Sequence, residues 1–527
     1  MSSAASSKSQ ILTEAMPTAQ KYTTDAEDSP SYDSESSVLP PSKKELDRIY
    51  RSLDYRIIPA LWVLYFLTSF GSSAYGNTLT MNTASGHSLM QSLNLGSHDT
   101  ATASALYYVG YIIFDVPMNL AMTRLQPQIW LSRIVMTVGL VYTCYAALSN
   151  AKGLIAIRFI SGMCGAGTWP GLSYYISLWY PNDRTAKRIG YYFTAAQISA
   201  SVAGLLGAGF QRIDMVHGLE GWKWLYLVYG SITIAVGISL VWWLPDRPAG
   251  MLSFNDDTEA GVMHKMFRLV PKSKQPLSGN DQLMHLKDME GRYTKITWDF
   301  KDVCNILLDP RTWPLVICYF GVVGAGFGLA VFGTTIIKTN NPSLSSINVS
   351  LLYAPIWLFD LAAILLVTPF ADKFKRYRYL FFSGASVIII VGMLITTFAH
   401  GPWNKYAGLL VAGFGLGPTV PTVMAWAAEI FAPKYGDVGC AVSAALVSGL
   451  GNLGSVTATY ALYSGWPADK LRLYKYSNMM LVTMVGTGIL SAFFLQGMRH
   501  FLGDFKVEIR EEREERDARE ESVEEAI

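Results

Sequence analysis

WLYLVYGSITIAVGISLVWWL, residues 224–244, holds no charged side chain and gives way at Pro245 to a polar stretch that lasts until Trp313. A helix needs about 20 apolar residues to cross the ~30 Å hydrocarbon core of a bilayer. After the polar stretch the same composition returns in PLVICYFGVVGAGFGLAVFGTTII, residues 314–337. Working backward, comparable runs lie at 57–75, 100–122, 130–148, 154–179 and 189–210; working forward, at 349–370, 380–398, 406–431, 438–462 and 479–495. Six spans, a polar loop and six more predict an all-α membrane protein with twelve transmembrane helices in two six-helix bundles. That layout is the one used by secondary transporters made of two related halves.

Composition points the same way. Only 16% of the chain is charged, against about 25% in ordinary soluble domains. The net charge is +2 and the lysines and arginines are scattered through loops, so no basic face for nucleic acid is read. Cys144, Cys164, Cys304, Cys318 and Cys440 are odd in number and unpaired in spacing; they read as small apolar residues, not as disulfides or metal ligands. The organisation expected is a disordered tail over 1–55, a first bundle over 56–246, a central loop over 247–312, a second bundle over 313–500 and a charged tail over 501–527. Residues 1–42 carry no apolar core of the kind that opens a cleavable signal peptide.

Loop charge gives the orientation. The loop 78–99 has no Lys or Arg, whereas Arg184, Lys187 and Arg188, and Lys373, Lys375, Arg376 and Arg378, follow spans four and eight. Both termini are therefore expected in the cytosol, although Lys470, Arg472 and Lys475 then face outward.

Several stretches carry a family likeness. SLWYPNDRTAKRIGYYFTAAQ (177–197), through Trp179, Pro181, Arg184, Lys187, Arg188, Ile189 and Gly190, resembles the span-four to span-five junction of the anion:cation symporter family. GYIIFDVPMNL (110–120), RFISGMCGAGTWPG (158–171), GLEGWKWLYLVYGSITI (218–234), LPDRP (244–248) and GNLGS (451–455) are similar to its second, fourth, sixth and eleventh spans. That family belongs to the major facilitator superfamily and includes fungal allantoate permease-like carriers. The resemblance implies the major facilitator fold and transport of a small organic anion, commonly with protons, at the plasma membrane; the vacuolar membrane is the other location left open. At positions where the family usually carries charges this chain has Gly71, Ser72 and Gly165, and Ala74 stands where an Asn is usual. Those departures leave the coupling ion and the substrate open.

Ionisable residues inside a bilayer span cost about 2.5–3.5 kcal/mol on the insertion scale, so each is a functional candidate. Arg158 in span four offers a planar, permanently charged fork to a carboxylate and matches the family's fourth-span Arg; the competing reading is a structural Arg. Asp115 in span two matches a family acid and reads either as a proton carrier or as a cap on the cytosolic side. It lies too far along its helix to pair directly with Arg158. Asp360 in span eight is the second candidate for proton coupling, and Glu429 reads as interfacial. Tyr108, Gln197, Tyr319 and Asn452 are the neutral candidates for substrate contact, each also readable as a helix–helix hydrogen bond.

The glycines at 324, 326 and 328, and at 413, 415 and 417, follow no strand and precede no Lys, so they read as close helix packing and not as a nucleotide loop. No catalytic or metal constellation is read, and no cofactor beyond a proton gradient. The expectation is a monomeric, non-enzymatic carrier whose partners are a small organic anion, protons and the lipid bilayer. Export of a metabolite or drug, and a non-transporting nutrient receptor, are the alternatives.

Overall fold

The computed structural model describes residues 43–502 apart from 125, 249–275, 278, 290–299 and 464–465. The expected tails over 1–42 and 503–527 and most of the central loop lie outside the described residues, as does the side chain of Cys440. Among the described residues every regular element is helical. The first half contains α1 (Lys43–Thr78), α2 (Ser97–Arg124), α3 (Pro127–Cys144), α4 (Ala151–Gly165), α5 (Thr168–Trp179), α6 (Asn182–Phe210) and α7 (Gly221–Trp243). Two short helices follow, α8 (Gly279–Met289) and α9 (Phe300–Leu308). The second half contains α10 (Thr312–Asn340), α11 (Ser346–Lys373), α12 (Arg378–Phe398), α13 (Pro402–Leu416), α14 (Thr419–Gly451), α15 (Leu453–Val456), a π-helical turn (Thr457–Tyr463) and α16 (Lys475–Leu502).

Nine of the described helical stretches are long and apolar enough to cross a membrane by themselves. The other crossings are α2, the broken pair α4–α5, and the continuation of α14 through α15 and the π turn. We call the face where α1 begins the near face and the opposite one the far face.

The tail boundary expected at 55 is corrected by the structure: α1 begins at Lys43 and buries Ile49, Tyr50 and Leu53 before the apolar run starts. Acidic residues explain why. Asp54 receives a two-pronged hydrogen bond from Arg188 (2.6 and 2.7 Å), and Asp47 one from Arg184 (2.6 Å). Arg184 and Arg188 thus hold the near-face end of α1 onto α6. The helix α8 docks beside them: Tyr50 donates to Asp288 (2.5 Å), and the His285 ring meets the Trp179 carbonyl (3.0 Å). Burial there holds the His285 imidazole below its ordinary pKa.

In lipid, helices gain little from hydrophobic burial against one another, so close backbone packing carries much of the association. A Cβ on Gly139 of α3 would sit 2.9 Å from the Gly230 carbonyl oxygen of α7, and one on Gly408 of α13 would sit 2.7 Å from the Gly392 carbonyl oxygen of α12. The near face of the second half is held by Arg378, which donates to Glu429 (2.8 Å) and Asp372 (3.1 Å). Glu429 is therefore at the near-face end of its crossing, as its interfacial reading expects.

Candidate functional site

The two halves are fastened to each other at the far face. The Thr334 hydroxyl of α10 donates to the Gly76 carbonyl of α1 (2.9 Å), and a Cβ on Gly76 would sit 2.5 Å from the Ala330 carbonyl oxygen. Gln211, just past α6, donates to the Ser350 hydroxyl of α11 (3.0 Å), and the Ser201 hydroxyl of α6 donates to the Ala354 carbonyl (3.2 Å). The His98 and Tyr460 rings meet edge to face at the far end of α2. At mid-depth the Tyr108 ring of α2 lies 4.8 Å from that of Phe327 in α10, and Gln197 Nε2 donates to Asp360 Oδ2 (3.0 Å). The central axis is thus closed from the far face down to mid-depth.

Arg158 sits in the far part of α4 and is fully buried. Its Nε donates to the Ala103 carbonyl (3.3 Å), and its guanidinium lies over the rings of Tyr75 (3.9 Å) and Tyr107 (4.6 Å). Tyr145, itself hydrogen-bonded to Ser161, closes another side. Among the described residues no carboxylate pairs with this guanidinium, and Nη1 is buried without a hydrogen-bond partner. Taking a charge out of water costs several kcal/mol. Two desolvated cation–π contacts, each worth roughly 2 kcal/mol, and hydrogen bonds to the Ala103 carbonyl and the Tyr145 hydroxyl offset much of it. The charge itself is left uncompensated. Tyr108, next to Tyr107, stands between this cage and the second half, where it meets Phe327.

Asp115 is not brought to Arg158. Its Oδ1 accepts the Gly167 N–H (3.0 Å), at the gap between α4 and α5. Arg158 contacts Ala103, twelve residues away along α2, a rise of about 18 Å. Gly167 has φ +77°, a conformation L side chains rarely adopt, and it is the N-cap residue of α5. Asp115 thus accepts a hydrogen bond at the break, and the single apolar run read over 154–179 is two helices. Replacing Asp115 by Ala is expected to lower stability by ~1 kcal/mol, the usual net value of a hydrogen bond. Asp115→Asn keeps the acceptor, so its melting temperature should stay near that of the parent. A thermal-shift comparison of the two variants checks this.

Asp360 and Gln197, read separately from the sequence, meet each other. The Asp360 carboxyl is buried, with Oδ1 making no hydrogen bond. A Cβ on Gly417, at the break between α13 and α14, would sit 2.7 Å from that same oxygen. Tyr319 packs against Gly451 and, with Tyr111, lies within electrostatic reach of Asp115. Asn452 accepts from Ser455 at the α14–α15 junction (3.5 Å). The sequence reading missed the tyrosine cage, which is spread over α1, α2 and the end of α3. The available signal was the spacing of Tyr142 and Tyr145, which at three residues share a helix face.

Comparison with known proteins closes the question of family. Residues 61–459 match the Major Facilitator Superfamily. The chain belongs to the major facilitator superfamily. This facilitator is 44% identical over 453 residues to Vitamin H transporter 1 of Schizosaccharomyces pombe, covering 85% of this chain and 79% of the relative. It is 26% identical over 455 residues to a quinolone resistance transporter of Acinetobacter baumannii, covering 84% and 95%. Its fold matches the inward-facing, unoccupied structure of a bacterial homolog to the human lysosomal transporter Spinster, with a TM-score of 0.59 at 15% identity over 86% of this chain and 97% of that one.

The uncharged positions of this facilitator have a physical account. The Tyr142 ring occupies the space where a side chain on Gly71 would go. Ser72 turns its hydroxyl back to the Ser69 carbonyl (2.9 Å). The space beside Gly165 is bounded by the Tyr107 hydroxyl, 3.9 Å from where a Cβ would be. A tyrosine ring thus fills the space beside Gly71, and a tyrosine hydroxyl borders that beside Gly165.

Proposed function

We propose that this major facilitator is a proton-coupled importer of a small organic anion, of the anion:cation symporter branch, in the plasma membrane with its near face to the cytosol. The observation that carries the proposal is Arg158: a buried guanidinium with no carboxylate partner among the described residues, an Nη1 that makes no hydrogen bond, and Tyr108 between its cage and Phe327 of the other half. Opening the far face would part Tyr108 from Phe327 and turn Nη1 toward the entry route. A carboxylate there can accept two parallel hydrogen bonds from the fork. Asp360 is the coupling carboxyl in this reading, because its hydrogen bond to Gln197 joins the two halves and is sensitive to a proton on the acid. The name of the 44%-identical relative supports a vitamin carboxylate, biotin being the first candidate.

Uptake of radiolabelled biotin, allantoate, pantothenate and nicotinate by expressing cells, at acid and neutral external pH, tests this. The expected result is uptake of one member that rises in acid. Export is the rival reading, favoured by the relationship to a quinolone resistance transporter. Outward flux from preloaded cells, with no uptake of any member, would replace import by export.

A further inference from the structure

The second half carries a groove on its bilayer side that the transport reading does not use. It lies between α11, α12 and α13 toward the near face, with a volume of about 540 Å³. Val367, Phe374, Tyr377, Phe381, Phe414 and Pro418 are among its walls. The lining is apolar but for the Tyr377 hydroxyl. Basic residues flank its wall residues Phe374 and Tyr377 along the chain: Lys373, Lys375 and Arg376 are all exposed. The acids nearby are already engaged. Asp372 and Glu429 are held by Arg378, and Lys375 lies 3.9 Å from Glu429. Among the described residues, Lys373 and Arg376 make no ion pair.

We propose that this groove binds an anionic phospholipid, with one acyl chain between α11, α12 and α13 and the headgroup phosphate on Lys373 and Arg376. Basic clusters at a bilayer surface attract anionic headgroups, and Phe374 and Tyr377 are the aromatic types that settle at headgroup level. The lipid chain would do more than coat a convex helix surface, because a concavity of about 540 Å³ receives it. Its inner wall is Pro418, adjacent to Gly417, and Gly417 packs on Asp360. A seated chain would therefore press on the outer side of the helix break whose inner side holds the buried carboxyl. The proposal does not depend on which substrate is carried.

The test uses the purified full-length protein, titrated with phosphatidylserine or phosphatidylcholine and read by native mass spectrometry and thermal shift. Wild type is expected to retain one phosphatidylserine, to melt higher with it, and to discriminate against phosphatidylcholine. Two variants attack different ends of the site. At Gly384, which lines the groove, an added Cβ meets no atom within 4 Å, so Gly384→Phe should fill the groove without disturbing the helices. Lys373→Gln with Arg376→Gln removes the headgroup contacts and should weaken phosphatidylserine binding about 30-fold, from ~1 kcal/mol for each basic residue near the surface. Equal retention of the two lipids by wild type would overturn the proposal. So would undiminished phosphatidylserine retention in both variants.

Discussion

Arg158→Lys is expected to reduce carboxylate uptake by about 10- to 100-fold, the value of losing one charge-assisted hydrogen bond of ~1.5–3 kcal/mol, although the charge is kept. Lysine is a compact point charge without the planar fork. It cannot lie flat over the Tyr75 and Tyr107 rings while donating to the Ala103 carbonyl, as Arg158 does. Uptake kinetics and surface biotinylation on the same cells separate the two roles this residue can have. A ligand contact raises KM in Arg158→Lys with the protein present at the surface. A purely structural Arg lowers the amount of surface protein and leaves KM alone. Tyr107→Phe serves as the control, since it preserves the ring that faces the guanidinium and should leave KM within about twofold, as expected where the π face is the contact.

Gly204→Leu is expected to stop the cycle at a different point. A Cβ there would sit 2.7 Å from the Ser350 carbonyl oxygen and 3.3 Å from the Ala354 backbone nitrogen. Both obstacles are backbone, so the far face cannot close over a larger side chain without moving α6 from α11. Overpacking of this kind costs about 1–3 kcal/mol, enough to shift a two-state equilibrium about 10- to 100-fold toward the far-open form. Turnover should fall by that factor while binding from the far face is retained. Ser350→Cys, in a background without the native cysteines, reports the state: Ser350 is buried in the closed form. A maleimide should label Cys at that position faster when Gly204→Leu is also present. Unchanged labelling together with normal uptake would show that this contact does not gate the far face.

The fold was legible in the sequence because the membrane imposes a length rule on every span. The limits of that rule are also visible. α1 runs well below the apolar stretch because Asp47 and Asp54 pair with Arg184 and Arg188, a contact between segments more than a hundred residues apart. The break at Gly167 was hidden because apolar composition continues through it; its backbone conformation and its hydrogen bond to Asp115 reveal it. For the site, Arg158, Asp115 and Asp360 stood out as charges in lipid. What surrounds each did not. Tyrosines are ordinary in membrane helices, and nothing in the chain order says that those of α1, α2 and α3 converge on one guanidinium. Gln197 and Asp360 were each visible as polar residues at mid-span, but their meeting depends on how far the two halves have closed.

The most direct measurement is biotin accumulation by the purified protein in sealed liposomes, with an imposed pH gradient, acid outside. The account predicts internal biotin above the external concentration, abolished by a protonophore and by Arg158→Lys. Biotin that only equilibrates across the membrane, or fails to enter with any gradient while the protein is shown to be folded, would contradict it.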